Sequence, residues 1–279
     1  MPGVLFIIST PIGNLEDISS RAKRILQEVD WLLVEDTRVT IKLLNHFAIN
    51  KRMVSCHKFN EESRRALLRQ AHDANEKIAL VSDAGTPLIS DPGDRIVAEA
   101  IALGMEVVPI PGPTACIQAL VASGLPSDRF VFEGFLPDKK QDLSRRLQDL
   151  KTEPRTLVFY ISPHSLLKTL EAMKEIFGNR KVSLGRELTK RFEEHIRTTL
   201  QELPDLLSEE RLKGEFTLVV AGAESQSDTK VDMAVVKQYI ERRLQEGASV
   251  RDVSNEVTLE FAVRKSQAYS LVLSINKMR

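Results

Sequence analysis

The sequence predicts an α/β protein of two domains with a small helical appendage at the C-terminal end. Three observations carry that prediction. Short β-branched runs alternate with amphipathic patterns whose apolar residues recur at three- and four-residue spacing. A Gly124-Leu125-Pro126 break separates two such stretches, and a polar segment at Gly222–Lys230 is followed by helical patterns alone. The boundaries read from these signals give domains at 1–123 and 124–228 and a helical region at 229–279.

In the first stretch the strand-like runs are Val4–Ser9, Trp31–Val34, Arg52–His57, Lys77–Val81 and Glu106–Ile110. Helical patterns at Ile18–Val29, Arg38–Phe47, Glu61–Asn75 and Asp94–Leu103 lie between them, the last closed by Gly104 as a C-cap. Such alternation implies a mostly parallel sheet covered by helices. The second stretch reads as strands at Phe130–Phe132, Thr156–Ile161, Lys181–Leu184 and Phe216–Ala221. Its helices are expected at Lys139–Leu150, Ser165–Phe177 and Leu203–Leu212.

Composition narrows the class. Hydrophobic residues are 42% and charged residues 28% of 279, the balance of a soluble globular protein. No apolar run approaches the roughly 18 residues of a membrane span. The opening Val4-Leu5-Phe6 run lacks a preceding basic region and reads as a strand, so a cytoplasmic protein is expected. Cys56 and Cys116 are then expected as reduced thiols. The five histidines sit at no zinc spacing, so no metal is expected. Lys plus Arg equals Asp plus Glu at 39 each, which argues against an all-over electrostatic grip on nucleic acid and leaves room only for a local basic face. Runs such as Lys139-Lys140, Arg145-Arg146 and Arg242-Arg243 read most simply as solvated helix faces.

The chemistry gathers in three strand-to-helix loops. No G-x-G and no phosphate-binding G-x-x-x-x-G-K-[ST] occurs. Instead Ser9-Thr10-Pro11-Ile12-Gly13-Asn14-Leu15 follows the first strand, where ligands of open α/β sheets bind. The segment Ser82 to Gly93 follows the fourth, with two Gly, two Pro, two Asp and two Ser in twelve residues, far more than a turn requires. Its carboxylates would repel a phosphate and suit hydroxyls and a cation, as a sulfonium nucleoside offers. The competing reading is an elaborate capping loop with Asp91 as N-cap. Pro111-Gly112-Pro113-Thr114-Ala115 follows the fifth strand; its prolines stiffen the turn, its small residues leave room for a flat group, and Thr114 starts the next helix.

These loops together resemble the tetrapyrrole methylase family. Val34-Glu35-Asp36-Thr37-Arg38, His57 with Asn60-Glu61, Ser162-Pro163-His164, Arg186-Glu187-Leu188-Thr189-Lys190 and Gly214-Glu215-Phe216-Thr217 add to the likeness, which spans nearly the whole chain and is closest to the RNA-modifying branch. The resemblance implies the class III methyltransferase fold, with S-adenosylmethionine held in a cleft between two α/β domains. It also implies a homodimer acting on 16S rRNA or the small ribosomal subunit, at a cytidine ribose 2′-hydroxyl near the decoding centre. By the same resemblance Ile12, Asp83, Thr86, Ser90, Thr114 and Ala115 line the donor pocket, and Tyr160 or Ile161, Leu188 and Thr217 close it. Departures from the family pattern fall at Cys56, Ile161, Ser165 and Thr198.

Methyl transfer to a ribose oxygen needs alignment and a proton acceptor. Glu35, Asp36 and Glu187 are the candidate bases, with Glu187 equally readable as part of an ion-pair network with its basic neighbours. Arg38, Arg186, Lys190 and Arg191 are candidates for phosphate contacts, and His57 for base or RNA contact. A small-molecule methyltransferase and a non-catalytic RNA-binding protein on the same scaffold are the alternative functions.

Overall fold

The computed structural model describes residues 3–57, 60–224, 233–261, 263 and 265–277. Most of the Gly222–Lys230 segment, and the expected boundary between 228 and 229, lie outside the described residues. The chain forms two compact units, one of residues 1–151 with 155–221, the other of residues 152–154 with 222–279.

The first unit holds two five-stranded sheets. In chain order the first contains β1 (Val4–Ile8), α1 (Ser20–Glu28), β2 (Trp31–Val34), α2 (Thr37–His46), β3 (Arg52–Ser55), α3 (Glu61–Asp73), β4 (Lys77–Val81), α4 (Asp94–Ala102), β5 (Glu106–Ile110) and α5 (Ala115–Ser123). All its strands are parallel, in the order β3-β2-β4-β1-β5. The two-residue period of a strand feeds both faces. Leu32 and Val34 of β2 and Ala79 and Val81 of β4 pack with α1 residues Ile25 and Leu26. Trp31, Leu33, Ile78 and Leu80 turn the other way, onto Leu68 of α3 and Ile96 of α4.

The second sheet contains β6 (Phe130–Phe135), α6 (Lys140–Asp149), β7 (Thr156–Ile161), α7 (Leu166–Phe177), β8 (Lys181–Arg186), β9 (Glu194–Thr199) and β10 (Phe216–Val220). Its order is β6-β7-β10-β8-β9, parallel between β6 and β7 and antiparallel elsewhere. Leu157, Phe159 and Ile161 of β7 face α6 and α7. Val158 and Tyr160 face the other way, with Cys116, Ala119 and Leu120 of α5. The helix that follows the third glycine-proline loop therefore docks on the second sheet, and a cleft opens where the two sheets' loops meet.

Three expectations change. Leu203–Leu212 is not one helix but two 3-10 turns, Leu203–Leu206 and Glu209–Leu212. Pro204 opens the first, and Leu207 and Ser208 take extended backbone between them. The strand β9 was not anticipated; its charged and hydroxyl residues at a sheet edge lack apolar alternation. Asp91 is not the N-cap of α4: that position is Gly93, at φ +129°, and the first-turn N–H groups of Arg95 and Ile96 donate to the buried Glu61 carboxylate of α3 at 3.0 and 3.3 Å.

The second unit carries α8 (Met233–Gln245), α9 (Val250–Glu260) and α10 (Lys265–Lys277) around Val236, Ile240, Val253, Val257 and Val272. Arg243 of α8 pairs with Glu256 of α9 at 2.8 Å. Among the described residues no helix is long and apolar enough to cross a membrane.

Candidate active site

Strand order explains how distant segments converge. The loops after β2, β4, β1 and β5 follow four consecutive neighbours in the sheet and leave from the same, carboxyl edge. They bound a cleft of about 450 Å³, whose other wall comes from the ends of β6, β7 and β10.

The loops are tied to each other by specific bonds. Thr10 N–H donates to the carbonyl of Gly85 at 2.8 Å and Gly85 N–H to that of Thr10 at 3.0 Å. The Thr86 hydroxyl lies 3.0 Å from the Pro113 carbonyl, 2.9 Å from Ser9 Oγ and 2.6 Å from Thr114 Oγ1. Thr114, although at the N-cap position of α5, makes no side-chain capping bond and spends its hydroxyl on Thr86. A Cβ on Gly112 would meet Ser9 Cβ at 2.7 Å, so only glycine allows the first and third loops to approach this closely. Leu88 and Ser90 hold left-handed backbone at φ +74° and +69°, strain of the kind that concentrates at functional sites.

Four carboxylates line the cleft: Glu35, Asp83 and Asp91 from the loops of the first sheet, and Glu215 just before β10. Burial pushes Asp91 up to about 6, helped by the Glu35 charge. Burial also raises Glu35 and Asp83, with the Asp83 charge adding to the rise at Glu35 and the Asp36 charge to that at Asp83. Asp83 Oδ1 accepts the Asp36 N–H at 3.0 Å, fixing its carboxylate relative to the loop after β2.

Of the residues expected to hold the donor, Ile12, Asp83, Thr86, Ser90, Ala115, Tyr160 and Thr217 line the cleft, as does Ile161. Thr114 and Leu188 do not. Thr114 supports Thr86, and Leu188 is buried with Ile12 and Cys116. Tyr160 Oη accepts the Cys116 N–H at 3.2 Å, which links β7 to the start of α5.

The three candidate bases separate. Glu35 lies in the cleft with its carboxyl above the usual range. Asp36 caps α2 through Arg38 N–H and grips the Arg38 side chain, whose hydrogen bonds hold its carboxyl at about 2. Glu187, at φ +51°, accepts from Lys190 Nζ at 3.0 Å and Glu215 N–H at 2.9 Å. Burial would raise its carboxyl, but these bonds and the nearby cations outweigh burial and lower it.

The expected phosphate contacts also differ. Arg38 is paired to Asp36 at 2.5 Å, Arg186 donates to the carbonyls of Lys213 and Glu210, and Lys190 sits between Glu187 and Glu215. Arg191 is exposed, over the exposed Phe192 ring at 5.5 Å. His57 is half-buried, and its N–H donates to Asn60 Oδ1 at 2.8 Å. Residues given no site role from the sequence also line the cleft: Phe135, which no motif named, and Ser162 and Glu215, which lie in motifs of the family resemblance. Asp91, one of the two loop carboxylates expected to suit a cationic ligand, does line the cleft, and its competing reading as an N-cap falls to Gly93. Both cysteines are free and buried, Cys56 in the first sheet's core and Cys116 against the second. Among the described residues no group of three or more His, Cys, Asp or Glu is placed to hold a metal ion.

An open parallel sheet joined to a mixed sheet, with a cleft walled by acidic glycine-proline loops, defines the class: the chain belongs to the Tetrapyrrole (Corrin/Porphyrin) Methylases, whose family pattern it matches over residues 4–204. Within that family its relatives include the ribosomal RNA small subunit methyltransferase I of Pseudomonas aeruginosa, 49% identical over 79% of each chain. The protein of the same name from Halalkalibacterium halodurans is 44% identical over 96% of this chain and 94% of that one. That from Bacillus subtilis is 39% identical over 96% and 93%. Among solved structures, a uroporphyrin-III C-methyl transferase from Thermus thermophilus complexed with S-adenyl homocysteine shares the fold at TM-score 0.54 and 21% identity, over 78% of this chain and 97% of that one. A diphthine synthase does so at TM-score 0.60 and 16% identity, over 78% and 90%.

Proposed function

We propose that this chain is an S-adenosylmethionine-dependent methyltransferase of small-subunit ribosomal RNA, with a cytidine ribose 2′-hydroxyl near the decoding centre as acceptor. The observation that carries the reading is similarity of 39–49% identity, over most of the chain, to relatives named for small-subunit rRNA methylation.

The residues present fit the donor. Glu35, Asp83 and Asp91 concentrate negative charge that a sulfonium would relieve, as their raised carboxyls indicate. Ile12, Thr86 and Ala115 would form the pocket floor, Asp83 and Ser90 its polar edge, and Tyr160 and Thr217 the far wall. When bound, the donor supplies a methyl group already activated by its positive sulfur. The protein's task is therefore alignment, which can contribute roughly 7–11 kcal/mol, and removal of the hydroxyl proton.

Glu35 is the favoured proton acceptor, because it lines the cleft and its raised carboxyl lies nearer neutrality. Asp36 and Glu187 are then positioning residues, one anchoring Arg38 and the other Lys190. RNA contact falls most naturally to Arg191 and Phe192, the exposed pair beside that anchored turn. We further propose a cytoplasmic homodimer; α4 and α5 expose the apolar side chains Ile101 and Val121, which pairing would cover, and light scattering tests it.

The deciding experiment offers labelled donor with undermodified small subunits, protein-free rRNA and precursor corrinoids in parallel. The expected label is on small-subunit rRNA as 2′-O-methylcytidine. Label on the corrinoid alone, or on no acceptor, overturns the reading.

A further inference from the structure

The edge strand β6 contains an irregularity that changes where its last residue points. Its pairing with β7 runs Phe132 opposite Val158, then shifts so that Gly134 is opposite Phe159 and Phe135 opposite Tyr160. The extra residue is accommodated by Gly134 at φ +63°. In a regular strand Phe132 and Phe135, three apart, would face opposite sides of the sheet. After the bulge both meet Tyr160: Phe132 edge-on at 5.0 Å between ring centroids, Phe135 tilted at 5.5 Å. Phe135 nonetheless remains 59% exposed. An apolar ring brought to the cleft and left in water is explained by neither core packing nor sheet pairing.

Phe135 stands between two cavities. With Tyr160, Ile161 and Ser162 it lines the cleft assigned to the donor, and the same four residues line an adjoining side pocket of about 200 Å³. The far side of that pocket carries Ser165 and Lys168. Ser165 donates to the Ser162 carbonyl at 3.2 Å, so the 2.9 Å bond between the two hydroxyls is donated by Ser162, and both oxygens keep a free accepting lone pair. Lys168 Nζ spends one proton on the Asp138 carbonyl at 2.6 Å and retains two. The side pocket thus offers an aromatic face, hydroxyl acceptors and an ammonium donor, and it shares a wall with the donor cleft.

We propose that this side pocket receives the unstacked pyrimidine base of the acceptor nucleotide. Phe135 provides the stacking surface, Ser162 and Ser165 accept from an exocyclic amine, and Lys168 donates to a ring carbonyl. The inference rests on the rRNA reading above and adds to it the site that positions the nucleotide. Enzymes that modify a nucleotide commonly take it out of the stack, and unpaired bases are held on aromatic faces.

The test compares wild-type enzyme, Phe135→Ala and Phe135→Tyr, with undermodified small subunits as acceptor and labelled S-adenosylmethionine as donor. Steady-state constants are measured for the acceptor and donor affinity by calorimetry. Phe135→Ala is expected to lower kcat/KM for the subunit by roughly tenfold or more, the loss of one stacked base. Because Phe135 also borders the donor cleft, donor affinity should fall by several-fold less than kcat/KM, the thermal midpoint should stay at the wild-type value, and Phe135→Tyr should restore activity. Wild-type kcat/KM in Phe135→Ala, or a loss matched by an equal loss of donor affinity, overturns the proposal. Failure of the wild-type enzyme itself to label rRNA instead removes the reading on which it rests.

Discussion

Thr10 and Gly85 exchange a pair of backbone hydrogen bonds, at 2.8 and 3.0 Å, although neither belongs to a strand. This one-residue antiparallel bridge joins loops that leave parallel neighbours, β1 and β4. It requires Gly85 at φ +83°, where a Cβ would also press on Ile12 Cγ2 at 3.3 Å. Gly85→Ala is therefore expected to destabilise the protein by about 1–2 kcal/mol. Thermal unfolding with an unchanged midpoint would contradict this.

A second knot lies at Thr86. Its single proton goes to the Pro113 carbonyl, so Ser9 and Thr114 must both donate to its oxygen. Thr86→Val keeps the shape and strands two hydroxyl donors and a carbonyl. The expected cost is about 1–3 kcal/mol in stability with weaker donor binding, while Thr86→Ser retains both. Calorimetry of the two variants side by side distinguishes loss of the hydroxyl from loss of the methyl.

The acidic cleft predicts a pH dependence of definite sign. Asp91 has a folded value of about 6 against an ordinary 3.8, so between these values the unfolded chain ionises first. The empty protein therefore loses stability from this group as pH rises from 3.8 to about 6, and the loss is complete above it. A cationic donor favours the ionised carboxylate. Its affinity should climb over the same window and level off above about 6. Asp91→Asn should flatten both profiles, as followed by titration calorimetry and by the donor-induced shift in melting temperature across pH.

Salt dependence tests the RNA-facing turn. Arg191 is exposed, whereas Arg38 and Lys190 are already committed to carboxylates. Replacing Arg191 with Ser should weaken binding to small-subunit rRNA and reduce the slope of log affinity against log salt by about 1. Donor affinity should not change. An unaltered slope would place the phosphate contacts elsewhere.

The sequence made the donor loops legible because glycine, proline and aspartate punctuate them locally, and each follows a strand with clear apolar character. Sheet order then does the rest, placing the loops after β2, β4, β1 and β5 side by side. What could not be read depends on long-range approach. Glu61 caps α4 from another helix, and Phe135 joins Tyr160 only through a register shift. The Arg186–Glu194 segment announces the local pair, Lys190 with Glu187, but not Lys190's second partner Glu215 or the carbonyls that hold Arg186, which lie more than twenty residues on.

The burial of both thiols has a practical consequence. Burial pushes Cys56 up to about 12 and raises Cys116, so at neutral pH neither presents a thiolate to an alkylating reagent. The native chain is thus expected to react little with maleimides. A cysteine introduced at an exposed position, such as Phe192 or Leu259, would carry a fluorophore or spin label alone, with no background replacement of the natural residues required.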